Sequence, residues 1–254
     1  EADIRMRRIN FYKDCGCIET RLGSRLFGVE YSILTLNIPI IQKEDDDSIV
    51  LSQIKRDDLD YIYKKMFKPH HYKEQVCLWE RLDYTTLSMP AKKLAPYLLG
   101  KLLCRKADGN ILKYRITETE CYCGEEDTAC HAHKGKTDRT KVLYEKGGTS
   151  YVYLCYGMHC LFNVVSGKEG HPEAVLIRGV TGYNGPGKLT RAMKIDRSLN
   201  GEDMAGSREL WLEDDGCRPL YVTAKRVGID YATEEYRDIL WRFIVDDGRY
   251  KPAK

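Results

Sequence analysis

The sequence predicts an α+β protein with a mostly antiparallel sheet, and three local signals carry that expectation. Asp108-Gly109 stands between the strand-like runs Lys101–Arg105 and Ile111–Thr117. An Asp-Gly pair in that position favours a two-residue hairpin, because both turn residues must take positive φ. The run Tyr151–Val165 reads as two more strands joined by a tight turn at Gly157. A helix is expected over Ala91–Leu99. Pro90 opens it, where a missing N–H costs nothing, and Gly100 closes it. Pro96 lies inside this pattern and shortens or kinks the helix.

The 254 residues allow one large domain or two small ones. With 43% hydrophobic and 31% charged residues, the disordered, collagen-like and membrane classes are excluded. No apolar run reaches the length of a membrane span, and no charged-then-apolar leader opens the chain. Glu1 in first place reads as a processed chain or a fragment. Without a secretory leader, the 10 cysteines read as reduced thiols of an intracellular protein. A net charge of +3 permits nucleic-acid binding without arguing for it.

The chain divides into residues 1–76 and 77–254. The first part is charge-balanced, so the basic surplus lies in the second. An acidic run, Glu44 to Asp47, and a Lys/His stretch, Lys64 to Lys73, soften the region before the boundary. The first part reads as a short helix ending at Gly16, strand-like runs Cys17–Leu22 and Val29–Asn37 separated by Gly23 and Gly28, and a helix around Asp57–Met66. So few elements make a poor core. The strings Arg8–Thr20 (R-I-N-F-Y-K-D-C-G-C-I-E-T) and Leu26–Leu34 (L-F-G-V-E-Y-S-I-L) resemble the C-terminal end of a GNAT N-acetyltransferase, in which a tyrosine at the position of Tyr12 often serves as general acid. The glycine-rich loop that cradles the coenzyme A pyrophosphate in that family is absent. The segment is therefore expected to be a partial α/β remnant that binds no cofactor.

Chemistry concentrates in the second part. With a two-residue period, Leu112, Tyr114, Ile116, Glu118, Glu120 and Tyr122 share one strand face that begins apolar and ends in two carboxylates and a tyrosine. Carboxylates continuing an apolar face are costly unless they are hydrogen-bonded or open into a pocket. Either a general base beside aromatics or a strand running out into solvent fits this pattern. Cys121, Cys123, Cys130, His131 and His133 tempt a zinc reading, but one residue between the first two cysteines is too tight for a structural site. No metal is expected. His131–Lys146 carries Lys134, Lys136, Arg139, Lys141 and Lys146 against Asp138 and Glu145, which reads as a mobile basic loop able to track phosphates. At the Gly157 turn, Tyr156 and Met158 are large and apolar where a tip is normally polar. That suits a wedge entering a base stack, or a tip covered by the rest of the fold.

Taken together, these motifs resemble the alkyladenine (3-methyladenine) DNA glycosylase family from about Arg81 to Val245. They are L-L-G-K-L-L (Leu98–Leu103), I-T-E-T-E-C-Y-C-G-E-E-D-T-A-C-H (Ile116–His131), T-D-R-T (Thr137–Thr140), G-T-S-Y-V-Y-L-C-Y-G-M (Gly148–Met158), N-V-V-S (Asn163–Ser166), A-V-L-I-R (Ala174–Arg178) and G-P-G-K-L-T-R-A (Gly185–Ala192). The resemblance implies one α+β domain with a curved sheet whose hairpin tip and basic loop face double-stranded DNA. It implies a monofunctional enzyme of base excision repair that flips damaged purines and hydrolyses their N-glycosidic bonds. Glu120 matches the water-activating carboxylate. Tyr122, His131 and Tyr153 match the residues that sandwich the base, and Asn163 matches the one that excludes guanine. Tyr156 matches the wedge, with Met158 beside it and Arg139 on the basic loop. Arg178 matches a residue near the flipped nucleotide's phosphate, and Lys188 lies in a phosphate-side motif. No cofactor, no membrane association and a monomeric state are implied, in the cytoplasm or, in a prokaryote, at the nucleoid. A catalytically silent lesion-binding module and an acetyltransferase fusion fragment are the rival readings. The sequence departs from the family at His159, where some members carry an aromatic, and in the short stretch from Arg178 to Gly185.

Overall fold

The computed structural model describes residues 2–15, 17–36 and 56–247. The chain forms two units, Glu1–Arg81 and Leu82–Lys254. Gly16 and the run from Glu44 to Asp47 lie outside the described residues.

The first unit contains α1 (Ala2–Asp14), β1 (Cys17–Leu26), β2 (Val29–Leu36), α2 (Arg56–Met66), α3 (Pro69–Gln75) and β3 (Val76–Arg81). Its strands are antiparallel in the order β2-β1-β3. Phe27 and Gly28, at φ 49° and 82°, turn β1 into β2. Gly23, expected between strands, lies within β1 because the Trp79 indole occupies the place of its side chain. A Cβ there would fall 2.3 Å from Trp79 Cε2. Among the described residues, its core is built on Leu22, Leu59 and Leu78. Because β3 pairs with β1, from Leu22 opposite Glu80 to Leu26 opposite Val76, the unit extends past residue 76 to Arg81.

The second unit contains α4 (Tyr84–Leu87), α5 (Ala91–Leu98), β4 (Leu102–Ala107), β5 (Asn110–Cys123), β6 (Ser150–Cys155), β7 (His159–Ser166), β8 (Glu173–Val180), β9 (Tyr183–Asn184), α6 (Pro186–Ala192), β10 (Leu210–Asp214), β11 (Tyr221–Ala224), α7 (Glu234–Arg237) and β12 (Arg242–Val245). This is the expected α+β class. The paired strands are antiparallel along the open path β10-β4-β5-β8-β7-β6, with β12 on β5, β11 on β12 and β9 on β8. Asp108 and Gly109 take φ 49° and 76°, as the hairpin requires. Helix α5 buries Ala91, Leu94, Ala95 and Leu98, one apolar stripe, in the main core with Leu103, Ile116, Phe162, Ile177, Leu189 and Met193. All ten cysteines are free thiols. Among the described residues, no helix is long and apolar enough to cross a membrane.

Strand β5 positions the site, and here the expected alternation needs correction. Its first half pairs with β4, and its second half lies between β8 and β12. Ile116 pairs with Val180, Glu118 with Gly179 and Thr119 with Ile177, so the register slips on both sides of Glu118. Such a bulge re-aims every side chain beyond it. Tyr114 and Ile116 pack on the main core, and past the bulge Cys121 and Cys123 do so. Glu118, Glu120 and Tyr122 therefore face away from the side that Ile116 serves. Gly179 leaves room for this irregularity: a Cβ there would fall 3.1 Å from Thr117 Oγ1 and 3.2 Å from Glu118 Cβ.

Candidate active site

Glu120 is fully buried, and both of its oxygens are engaged. The backbone N–H of Val227 donates to Oε1 at 2.8 Å, and the Tyr122 hydroxyl donates to Oε2 at 2.9 Å. Arg178 Nε lies 3.5 Å from Oε1. Burial pushes the Glu120 carboxyl above its ordinary pKa, opposed by Arg178, the Val227 N–H, Tyr122 and Arg242. Glu118 sits beside it and accepts from Arg178 Nε at 2.9 Å and Arg242 Nε at 2.6 Å. The result is two carboxylates held by two guanidiniums at the end of an apolar strand, which is how such carboxylates become tolerable.

Above this floor opens a cleft of about 980 Å³. Tyr122, His131, Arg139, Tyr153, Tyr156, Met158, Asn163, Arg178 and Lys188 all line it. Glu120 is the expected site residue that does not, since it lies behind Tyr122, Arg178 and Val227. His131 and Tyr153 meet edge-on with ring centres 4.6 Å apart, and the Arg139 guanidinium lies 5.3 Å from the Tyr153 ring centre. His131 Nδ1 is 3.1 Å from the Tyr151 hydroxyl. Burial, and then Arg139, pull His131 down to about 4, so the imidazole is neutral near pH 7. Burial raises the Tyr122 and Tyr153 phenols, which keeps both rings uncharged. Asn163 on β7 is buried and donates from Nδ2 to the Tyr151 carbonyl at 3.1 Å, which fixes its amide plane.

The rim differs in part from expectation. Tyr156 is 88% exposed and Met158 73% exposed, so no described residue covers the hairpin tip. Tyr156 itself takes φ 49°, a conformation that bulky residues rarely adopt. The segment expected as a mobile loop is instead built from short 3₁₀ turns at His131–Lys134 and Lys141–Tyr144. Thr137 and Thr140 bond each other, Thr140 Oγ1 also donates to the Gly135 carbonyl, and Leu143 plugs into a core. Lys146 pairs with Asp203 at 2.6 Å, which removes one cation from the basic surplus. The departing His159 is exposed, with its ring over Gly187, where a Cβ would fall 3.0 Å from His159 Cγ. The short stretch after Arg178 is closed by Gly185 N–H donating to the Arg178 carbonyl at 3.0 Å. Among the described residues, no group of three His, Cys, Asp or Glu side chains is arranged to hold a metal ion.

A profile of the family described as methylpurine-DNA glycosylase matches residues 85–183 and 180–249. The chain belongs to the methylpurine-DNA glycosylase family. It is 45% identical over 194 residues to a protein of Natranaerobius thermophilus, covering 67% of this chain and 98% of the relative. A Psychrobacter cryohalolentis protein is 43% identical, covering 62% of this chain and 88% of the relative. One from Desulfitobacterium hafniense is 44% identical, covering 63% and 93%. All three are described as inferred 3-methyladenine DNA glycosylases. The chain is thus a DNA glycosylase, and its matched region is the unit that carries Glu120 and the aromatic cleft.

The candidate site also contains residues that the motifs did not single out. Val227 contributes only a backbone N–H, from 107 positions away, and no side-chain pattern announces it. Asp127 and Arg226 form a fully buried ion pair beside Tyr122. Tyr151 was within reach: it shares a face with Tyr153 at the two-residue spacing of β6.

Proposed function

We propose that the chain excises alkylated or deaminated purines from duplex DNA: 3-methyladenine and 7-methylguanine, with hypoxanthine as a neutral third substrate. The damaged nucleotide is flipped into the cleft and its base stacks among Tyr122, His131 and Tyr153. Glu120 then takes a proton from the water that attacks C1′. Alkylation at N3 or N7 already makes the purine a good leaving group, so the protein must supply position, a proton acceptor and tolerance of positive charge on the sugar. A single carboxylate serves the last two needs. The observation that carries this reading is Glu120 itself, a buried carboxylate with a donor on each oxygen, directly behind the Tyr122, Arg178 and Val227 that line the aromatic cleft. Oε1 faces both the Val227 N–H and Arg178, so the lone pair of Oε2 that Tyr122 does not use would accept from water.

The other residues fit around that step. Aromatic faces stack on any flipped base and favour electron-poor purines. Asn163, its amide fixed by Tyr151, would meet the exocyclic amine of guanine. Tyr156 and Met158 would fill the vacated stack, and Arg139, Arg178 and Lys188 would meet phosphates. The protein would act as a monomer in the cytoplasm or at the nucleoid.

Duplexes carrying one defined lesion test this reading. Incubation should release the free base and leave an abasic site that breaks only on alkali treatment. Intact duplexes that nonetheless bind the protein would favour a silent lesion-binding module.

A further inference from the structure

We infer that Arg226, through its pair with Asp127, is a positioning residue that holds both hydrogen-bond donors to Glu120. This rests on the reading of Glu120 as the base.

The two side chains are completely buried. Arg226 Nη1 donates to Asp127 Oδ2 at 2.5 Å and to the Cys121 carbonyl at 3.0 Å. Its Nη2 donates to Asp127 Oδ1 at 2.9 Å and to the Tyr236 carbonyl at 3.0 Å. Asp127 in turn accepts from the backbone N–H of Cys123 at 3.1 Å and of Ala129 at 3.0 Å. The pair therefore grips β5 at Cys121 and Cys123, the residues on either side of Tyr122. The guanidinium also lies 4.8 Å from the Tyr122 ring centre and 5.0 Å from that of Trp241. Tyr122 is one donor to Glu120. The other is the N–H of Val227, the residue that follows Arg226 in the chain. One fork of hydrogen bonds thus fixes a phenol and a peptide group that converge on one carboxylate.

Buried ion pairs add little to stability compared with apolar residues of similar size. Apolar residues could not direct hydrogen bonds to the strand and to α7 at once, and this direction is what the Glu120 site uses. The charged and titratable groups facing Glu120 are Arg178 from β8, Arg242 from β12 and Tyr122 from β5, and Glu118 shares the two arginines. Loosening Arg226 leaves the arginines in place and withdraws the two neutral donors. Glu120 then binds its proton more tightly, and the enzyme loses its base at a higher pH.

The test is the pH profile of methylpurine release from methylated duplex DNA, with enzyme in excess over lesions. Arg226→Lys keeps the charge but not the fork. The double variant Asp127→Asn with Arg226→Gln removes both buried charges together and leaves neither unpaired. In each, the acid limb should move up by about one pH unit, so release on the acid side slows about tenfold. The loss should shrink toward alkaline pH, where the base is ionised in parent and variants alike. A limb that does not move, or a rate that falls equally at every pH, would overturn the inference. So would loss of the melting transition in both variants, which would make the pair merely structural. Glu120→Gln is measured alongside. If it retains the parent rate, the base reading falls and takes this inference with it. If it is inactive while both Arg226 variants keep the parent limb, only the positioning role falls.

Discussion

The Tyr151 hydroxyl lies 3.1 Å from Nδ1 of His131, within hydrogen-bond reach of a neutral imidazole. An imidazole that accepts from Tyr151 at Nδ1 carries its proton on Nε2. Tyr151→Phe should release that tautomer. Excision of a lesion that accepts from His131 should fall about fivefold, the scale of one hydrogen bond of ~1 kcal/mol. Excision of lesions held by stacking alone should change less. Parallel single-turnover rates on hypoxanthine and on 7-methylguanine duplexes check this, and equal losses on both would count against the tautomer.

The neutral His131 also has a stability consequence. Its pKa falls from 6.5 to about 4 on folding, so the unfolded chain takes up the proton first as pH drops. The contribution is complete above about pH 6.5 and is lost as pH falls toward 4. The parent melting temperature should therefore drop more between pH 7 and pH 5 than that of His131→Phe. Parallel melting curves for the two would contradict a buried neutral imidazole.

Asn163 should set the penalty against normal guanine. Asn163→Ala removes the amide held by the Tyr151 carbonyl, at a folding cost of about 1 kcal/mol. Release of undamaged guanine from unmodified duplex DNA should rise above the parent, while methylpurine release stays within about tenfold. Chromatography of the released bases measures both, and unchanged guanine release would remove Asn163 from the discrimination.

Tyr156 stabilises the free protein little, because it is 88% exposed and sits at φ 49°. Tyr156→Ala should leave melting within a degree or two, since surface changes rarely exceed ~0.5 kcal/mol. It should weaken the flipped state by about 1–3 kcal/mol, the scale of stacking on a base. The loss should shrink when the lesion is mispaired, because less pairing energy opposes extrusion. An equal loss in paired and mispaired duplexes would show that Tyr156 acts on something else.

Much of this site was legible because its side chains lie on short stretches of regular structure. Tyr153, Asn163 and Arg178 sit on single strands, and the hairpins at Gly109 and Gly157 follow from turn chemistry that is local in the chain. What could not be read is long-range or carried by the backbone. The bulge at Glu118 depends on the space that Gly179 leaves on the neighbouring strand, so a strict two-residue period put Ile116 and Glu120 on one face. The Val227 N–H reaches Glu120 from a distant segment, and peptide groups look alike in every sequence. The segment around Arg139 read as mobile from its lysines, whereas the Thr137–Thr140 bonds and buried Leu143 hold it.

Glu120→Gln provides the most direct test of the account. The amide keeps the shape of the carboxylate and can still accept from Tyr122, but it neither carries charge nor takes a proton. With enzyme in excess over methylated duplex DNA, release of 3-methyladenine should slow by about a hundredfold or more, the range for a lost general base. Binding to the same duplex, measured at equilibrium, should remain within a few-fold of the parent. Release at near the parent rate, with binding intact, would show that Glu120 is not the group that activates water.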